Sequence, residues 1–177
     1  KVDREDTRQR LEDARTNIIT YCLTSIRISD TWKFYGSIQT RNGILCGCFR
    51  CAKPPHPLVM PIVWKPLKRQ MDRVGIPKRR AESNVRDDIN DLLDMIGIDK
   101  HISPHCGRRS FVTNFLSAAP EIPERLLCSV FTGHSFSGAS SDQKVFMGYN
   151  QARVSADQTL LLRLMKKVDP SLTGGIE

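Results

Sequence analysis

Apolar positions recur with helical spacing in the first part of the chain. Leu11, Ala14, Ile18, Ile19 and Cys22 keep that spacing amid charged residues, which predicts an amphipathic helix from Thr7 to about Leu23. Arg27 follows just beyond its end. Ser29 and Asp30 then offer an N-cap to a second short helix through Trp32 and Phe34 that ends at Gly36. The pattern therefore predicts a helix-turn-helix elbow around Arg27.

Between Ser37 and Val63 the chain changes to short apolar runs broken by Asn42-Gly43 and Pro54-Pro55, turn signals between the strands of a small antiparallel sheet. The stretch from Trp64 to Arg80 reads as one helix followed by an exposed loop at Gly75-Ile76-Pro77. It carries Lys65, Lys68, Arg69, Arg73, Lys78, Arg79 and Arg80, and a run of this kind is by default a solvated face. Helical spacing returns with Val85, Ile89, Leu92, Leu93 and Ile96 behind a Ser83 cap and stops at Gly97. Ser103-Pro104 supplies an N-cap and a first-turn proline for a helix to about Ala118, with Phe111, Phe115 and Leu116 as its buried side. A helix from Pro123 to Phe131, a Gly/Ser-rich loop and a last helix near Ser155 to Lys167 complete the reading. The expected class is mainly α (α+β), a helical domain over residues 1–177 with a small three-stranded antiparallel sheet.

Charge narrows the partners. Lys and Arg number 27 against 19 Asp and Glu, a net +8, and the pI is near 9.4. That balance favours a polyanion, nucleic acid or anionic membrane, without choosing between them. No run approaches the roughly 20 apolar residues of a membrane span, and no basic-then-apolar leader opens the chain; a soluble intracellular protein is expected. The six cysteines then read as reduced thiols. Cys46-Gly47-Cys48-Phe49-Arg50-Cys51 with His56 beyond would be a zinc site only without the usual paired Cys-x-x-Cys spacing, so buried core thiols are the plainer reading and no metal is expected. The start at Lys1 suggests a fragment whose upstream part has been removed.

The strongest local signal is Ser103-Pro104-His105-Cys106-Gly107-Arg108-Arg109-Ser110-Phe111. Residues three apart on a helix share a face, so His105 and Arg108 would present an imidazole and a guanidinium to one anionic ligand near a helix N-terminus. Alone such a pair says little. Thr132-Gly133-His134 follows, then Tyr149 in Phe146-Met147-Gly148-Tyr149-Asn150, while upstream stands Thr24-Ser25-Ile26-Arg27-Ile28-Ser29-Asp30.

This succession resembles the tyrosine recombinase and phage integrase family, in which an arginine box, a His-x-x-Arg helix, a Gly-His pair and a final tyrosine occur in this order. Lys53, in Cys51-Ala52-Lys53-Pro54-Pro55, looks like the lysine that the family carries on a β-hairpin, with Arg50 or Lys65 as alternatives. Three departures stand out: Asp30 in place of the commoner glutamate, Gly107 where a large apolar residue is more usual, which should loosen local packing, and a longer loop between His134 and Tyr149.

The resemblance implies a DNA strand transferase that needs neither metal nor nucleotide. Arg27 and Arg108 would hold the non-bridging oxygens of the phosphate, His134 would add a hydrogen bond, and His105 would assist proton transfer from Tyr149. Lys53 would protonate the leaving 5′ oxygen. Double-stranded DNA would be gripped by Lys65, Lys68, Arg69, Arg73, Lys78, Arg79, Arg80 and Arg109, in a tetramer on synapsed sites found with DNA in the nucleoid or nucleus. The family's N-terminal DNA-binding domain would precede this chain, and the helix within 150–177 would dock on a neighbouring subunit. Two rivals remain open: a type IB topoisomerase, against which His105 argues because those enzymes usually carry lysine there, and a DNA-binding module of recombinase ancestry that no longer cuts.

Overall fold

The computed structural model describes residues 4–52, 57–118 and 165–166, with side chains in the segment to 118 described as far as 114. Five α-helices and three strands run through these residues in the order α1 (Arg4–Thr24), α2 (Thr31–Gly36), β1 (Ile38–Arg41), β2 (Ile44–Arg50), β3 (Pro57–Pro61), α3 (Lys65–Val74), α4 (Glu82–Met95) and α5 (Pro104–Ala118), with a 3₁₀ turn at Ile28–Asp30 before α2. The protein is mainly helical with a small antiparallel sheet. No helix among the described residues is long and apolar enough to cross a membrane. The chain divides into two compact units, Lys1–Trp32 with Val63–Thr113 and Lys33–Ile62 with Asn114–Glu177.

In the first unit, α1 and α4 meet through Ala14, Tyr21, Val85, Ile89 and Leu93, with Ile18, Ile28, Trp32, Leu92 and Ile102 packed around them. The apolar periodicity of α4 set its buried side at Val85, Ile89 and Leu93, with Leu92 half-buried, but not at Ile96, which follows the helix and is exposed. That of α1 did so only in part, for Asp13, Thr16, Asn17, Thr20 and Thr24 are buried on it while Leu11, Ile19 and Cys22 are only half-buried. The threonines can be buried because their hydroxyls donate to carbonyls one turn back: Thr16 to Glu12 at 2.9 Å, Thr20 to Thr16 at 2.8 Å and Thr24 to Thr20 at 2.6 Å. α3 is tied to the same helix by Gln70 Nε2, which donates to Thr16 Oγ1 and to Glu12 Oε2, both at 3.1 Å.

Gly75, at φ 80°, ends α3. The loop after it is held by its backbone: the Lys78 amide donates to Asp13 Oδ2 at 3.0 Å and Trp32 Nε1 to the Arg80 carbonyl at 3.1 Å. It is exposed at Ile76 but buried at Pro77. Ser83 does not cap α4. Ala81 stands at the N-cap with no side-chain bond, and the Ser83 hydroxyl faces the Asn84 amide oxygen instead. The helix therefore begins two residues earlier than the cap signal suggested.

Asp88 lies 3.0 Å from Arg10 Nη1 and 2.8 Å from Arg80 Nη1. Burial pushes its carboxyl up by more than these two guanidiniums pull it down, so desolvation sets the cost of the site. Asp88→Ala should therefore destabilise by only about 1–2 kcal/mol, below the usual 3–5 for a broken buried pair, because both arginines reach solvent. Urea unfolding of the two proteins measures it.

The second unit holds a sheet in the order β1-β2-β3, both pairs antiparallel. Asn42 and Gly43 link β1 to β2 with φ 49° and 75°, the left-handed pair that a two-residue hairpin turn needs. Phe34 is fully buried, and a β-carbon at Gly47 would stand 2.2 Å from its ring. Cys46 and Cys51 are buried, and burial pushes the Cys46 thiol up to about 11, as for a small apolar core residue. Pro54-Pro55 and His56 lie outside the described residues, as do the expected helix from Pro123 to Phe131 and all but Met165 and Lys166 of the last helix.

Candidate functional site

The site grows from the end of α1. Ser25 there takes a left-handed φ of 58°, a conformation that costs a non-glycine residue roughly 1 kcal/mol. Its amide reaches the Tyr21 carbonyl at 3.2 Å. The residue is fully buried, its hydroxyl has no partner among the described residues, and its carbonyl accepts a hydrogen bond from Arg108 Nη1 at 2.8 Å.

Arg27, two residues on, is extended (φ −76°, ψ 149°). Its carbonyl accepts from the Asp30 amide at 2.9 Å and from the Thr31 hydroxyl at 3.2 Å, so the backbone beneath it is fixed. The half-buried Arg27 side chain has no hydrogen-bond partner among the described residues. Arg108 thus comes from α5 to the elbow that carries Arg27, across more than eighty residues of sequence. Arg108 is buried, 6% exposed, and its bond to the backbone holds the plane of its guanidinium in a fixed direction at the elbow.

Gly107 makes the approach possible. A β-carbon there would stand 2.8 Å from Tyr21 Cβ, 3.2 Å from Cys22 Sγ and 3.3 Å from the Cys22 amide. The local packing is therefore tight where looseness was expected, because the missing side chain is used to bring α5 onto α1. His105, one turn before Arg108, is exposed. Cys106 is exposed too, and its thiol lies 3.4 Å from the Ser103 hydroxyl, which with the Ser103 backbone and Arg109 holds it below the ordinary thiol range.

Tyr21 and Tyr35 are core residues, 0% and 4% exposed. The Tyr21 hydroxyl lies 3.1 Å from that of Thr31, and burial pushes its phenol up to about 12, so it is a poor source of phenolate. Lys53, His134 and Tyr149 lie outside the described residues.

The basic residues divide into two sets. Arg73 Nη1 donates to Glu12 Oε1 at 2.9 Å and Arg80 pairs with Asp88, so both serve the fold. Lys68, Arg69, Lys78, Arg79 and Arg109 are exposed and form no ion pair with an acidic side chain among the described residues; Lys65 is exposed on the first turn of α3. Arg79 and Arg80 also line a cavity of about 550 Å³ with Ile28, Ser29, Trp32, Ala81 and Glu82.

Sequence reasoning missed Ser25, Asp13 and Asp88. A serine in the left-handed region carries no mark in the sequence, and the two aspartates look like solvated charges until the loop and α1 close on them. Among the described residues no three His, Cys, Asp or Glu side chains gather as a metal site. Family models, curated proteins and solved structures give no match to this chain.

Proposed function

We propose that this chain is the strand-cleaving domain of a tyrosine recombinase, which breaks and rejoins double-stranded DNA through a covalent bond between Tyr149 and a 3′ phosphate. One observation carries the reading: Arg108 of the His-x-x-Arg box is bonded to the backbone two residues before Arg27, so the two arginines that the reading needs share one elbow. The ordered motifs of the sequence supply the rest.

Phosphodiesters resist attack because the nucleophile meets negative charge and the leaving alkoxide is poor. In this reading Arg27 and Arg108 neutralise the non-bridging oxygens, where a forked guanidinium stabilises the added charge of the transition state. His134 adds a hydrogen bond to the same oxygens. Tyr149, with an ordinary pKa near 10, loses its proton with help from His105 as its oxygen bonds to phosphorus. The bond to the 5′ oxygen breaks, and Lys53 returns a proton there. Attack by another 5′ hydroxyl reverses the step, so no nucleotide is consumed. The exposed cations Lys65, Lys68, Arg69, Lys78, Arg79 and Arg109 take DNA phosphates, which orient the duplex without reading its sequence. Exchange between two duplexes calls for a tetramer, with the helix within 150–177 reaching a neighbouring subunit.

The test is a nicked suicide duplex bearing candidate sites, incubated with the protein and a chelator. A denaturation-resistant adduct on the peptide that contains Tyr149 is expected, and strand exchange between two duplexes then distinguishes a recombinase from a topoisomerase. Salt-sensitive DNA binding with no adduct would replace the proposal by a non-cutting DNA-binding module.

A further inference from the structure

We propose that Cys106 and Cys22 form an oxidisable thiol pair at the crossing of α5 and α1, which a hydroperoxide converts to a disulfide. Packed helices ordinarily lie about 8–10 Å apart. Gly107 removes the side chain that would hold α5 off, leaving the place of its β-carbon 3.2 Å from Cys22 Sγ and 2.8 Å from Tyr21 Cβ. Cys106 is the preceding residue of α5, and each thiol lies on the described surface of one helix: Cys106 exposed, Cys22 half-buried.

The two thiols differ in the way that such a pair requires. Cys106 stands in the first turn of a 15-residue helix, with the Ser103 hydroxyl 3.4 Å from its sulfur, and that hydroxyl, the Ser103 backbone and Arg109 favour its thiolate. Burial raises the Cys22 thiol, and a negative Cys106 raises it further, so Cys22 waits as the protonated partner. The thiolate attacks, since it is the better nucleophile.

In the first step the Cys106 thiolate attacks one oxygen of the hydroperoxide. The O–O bond breaks, a sulfenic acid forms, and the alkoxide leaves and takes a proton as the alcohol. In the second, the Cys22 sulfur attacks the sulfenic sulfur, its proton and the hydroxyl depart as water, and the S–S bond forms. Two thiols are oxidised and one peroxide is reduced. A disulfide holds Cα atoms about 4.4–6.8 Å apart with a fixed torsion, so closing it pins the first turn of α5, which carries His105 and leads into Arg108, to α1. The thiol pair rests on the helix crossing alone; its consequence for DNA cleavage rests on the function proposed above.

The reduced protein is treated with hydrogen peroxide, blocked by alkylation and digested with trypsin. Cys22 is the sole cysteine of peptide 16–27 and Cys106 of peptide 101–108. The expected product joins these two peptides within one chain, two hydrogens lighter than their sum and separated by dithiothreitol. Cys22→Ser should instead leave a Cys106 sulfenic acid that dimedone traps. Cys106 staying reduced, or pairing with another cysteine or another chain, would overturn the proposal. The oxidised protein should also lose adduct formation on the suicide duplex and regain it on reduction. Cleavage unaffected by the cross-link would remove the regulatory consequence, whereas no adduct even from the reduced protein would count against the recombinase reading and leave the thiol result standing.

Discussion

Arg108→Ala should lower the rate of covalent adduct formation on a nicked duplex by roughly 10²–10³-fold, the scale on which enzymes lose rate when a fixed donor to a developing oxyanion is removed. DNA binding should fall far less, because it is spread over many phosphate contacts. The substitution has a second effect that must be measured beside the first. Arg108 satisfies the carbonyl of a fully buried Ser25, and an orphaned buried acceptor costs about 1–3 kcal/mol. Arg108→Lys separates the two, since lysine keeps the charge but not the planar fork. If Arg108→Lys folds with an unchanged Tm and cleaves as fast as the parent, the guanidinium is not acting on the phosphate. Tyr149→Phe, which removes only the attacking oxygen, should abolish the adduct outright, and a residual adduct on another residue would unseat Tyr149.

Gly107→Leu should destabilise the protein by about 3 kcal/mol, at the upper end for overpacking, and lower Tm by roughly 6–12 °C for a chain of this size. Even the first carbon of the new side chain would meet Tyr21 Cβ at 2.8 Å and the Cys22 amide at 3.3 Å. The backbone of α1 cannot yield without moving Ser25, so the loss should extend to the tie on Arg108. Calorimetry of the two proteins decides it: a Tm within 1 °C of the parent would mean that α5 and α1 do not approach this closely in solution. The position matters because glycine there gives up side-chain burial for helix proximity.

The wording of the chain was sufficient wherever one residue type has few conformational options. Asn42-Gly43 is the clearest case: both φ values are positive, as the hairpin reading required, and β1 and β2 pair across it. Gly75, Gly97 and Pro104 bound their helices for the same reason. At the candidate site the sequence marked Arg27, His105 and Arg108, and of these the structure brings Arg108 to the elbow that carries Arg27.

What could not be read is which polar and charged side chains the folded chain completes. The buried side of α1 is lined by threonines and an aspartate, and hydropathy assigns such residues to water; their hydroxyls and carboxylate become tolerable inside only when a carbonyl one turn back, or the Lys78 amide, completes them. The basic stretch shows the same dependence. Arg73 and Arg80 have the same charge as Arg69 and Arg79, yet Glu12 and Asp88 bind the first two into the fold and the others remain in solvent.

Among the described residues the sequence by itself determined the elements and their boundaries to within a few residues, because these follow from local backbone preference and side-chain chemistry. The tertiary structure alone decided that Arg108 meets the elbow of Arg27 through the carbonyl of a left-handed serine, that Gly107 sets α5 against α1, and which cations stay available to a ligand. The first two outcomes are contacts across more than eighty residues, and all three gain their free energy only once both partners have lost their water.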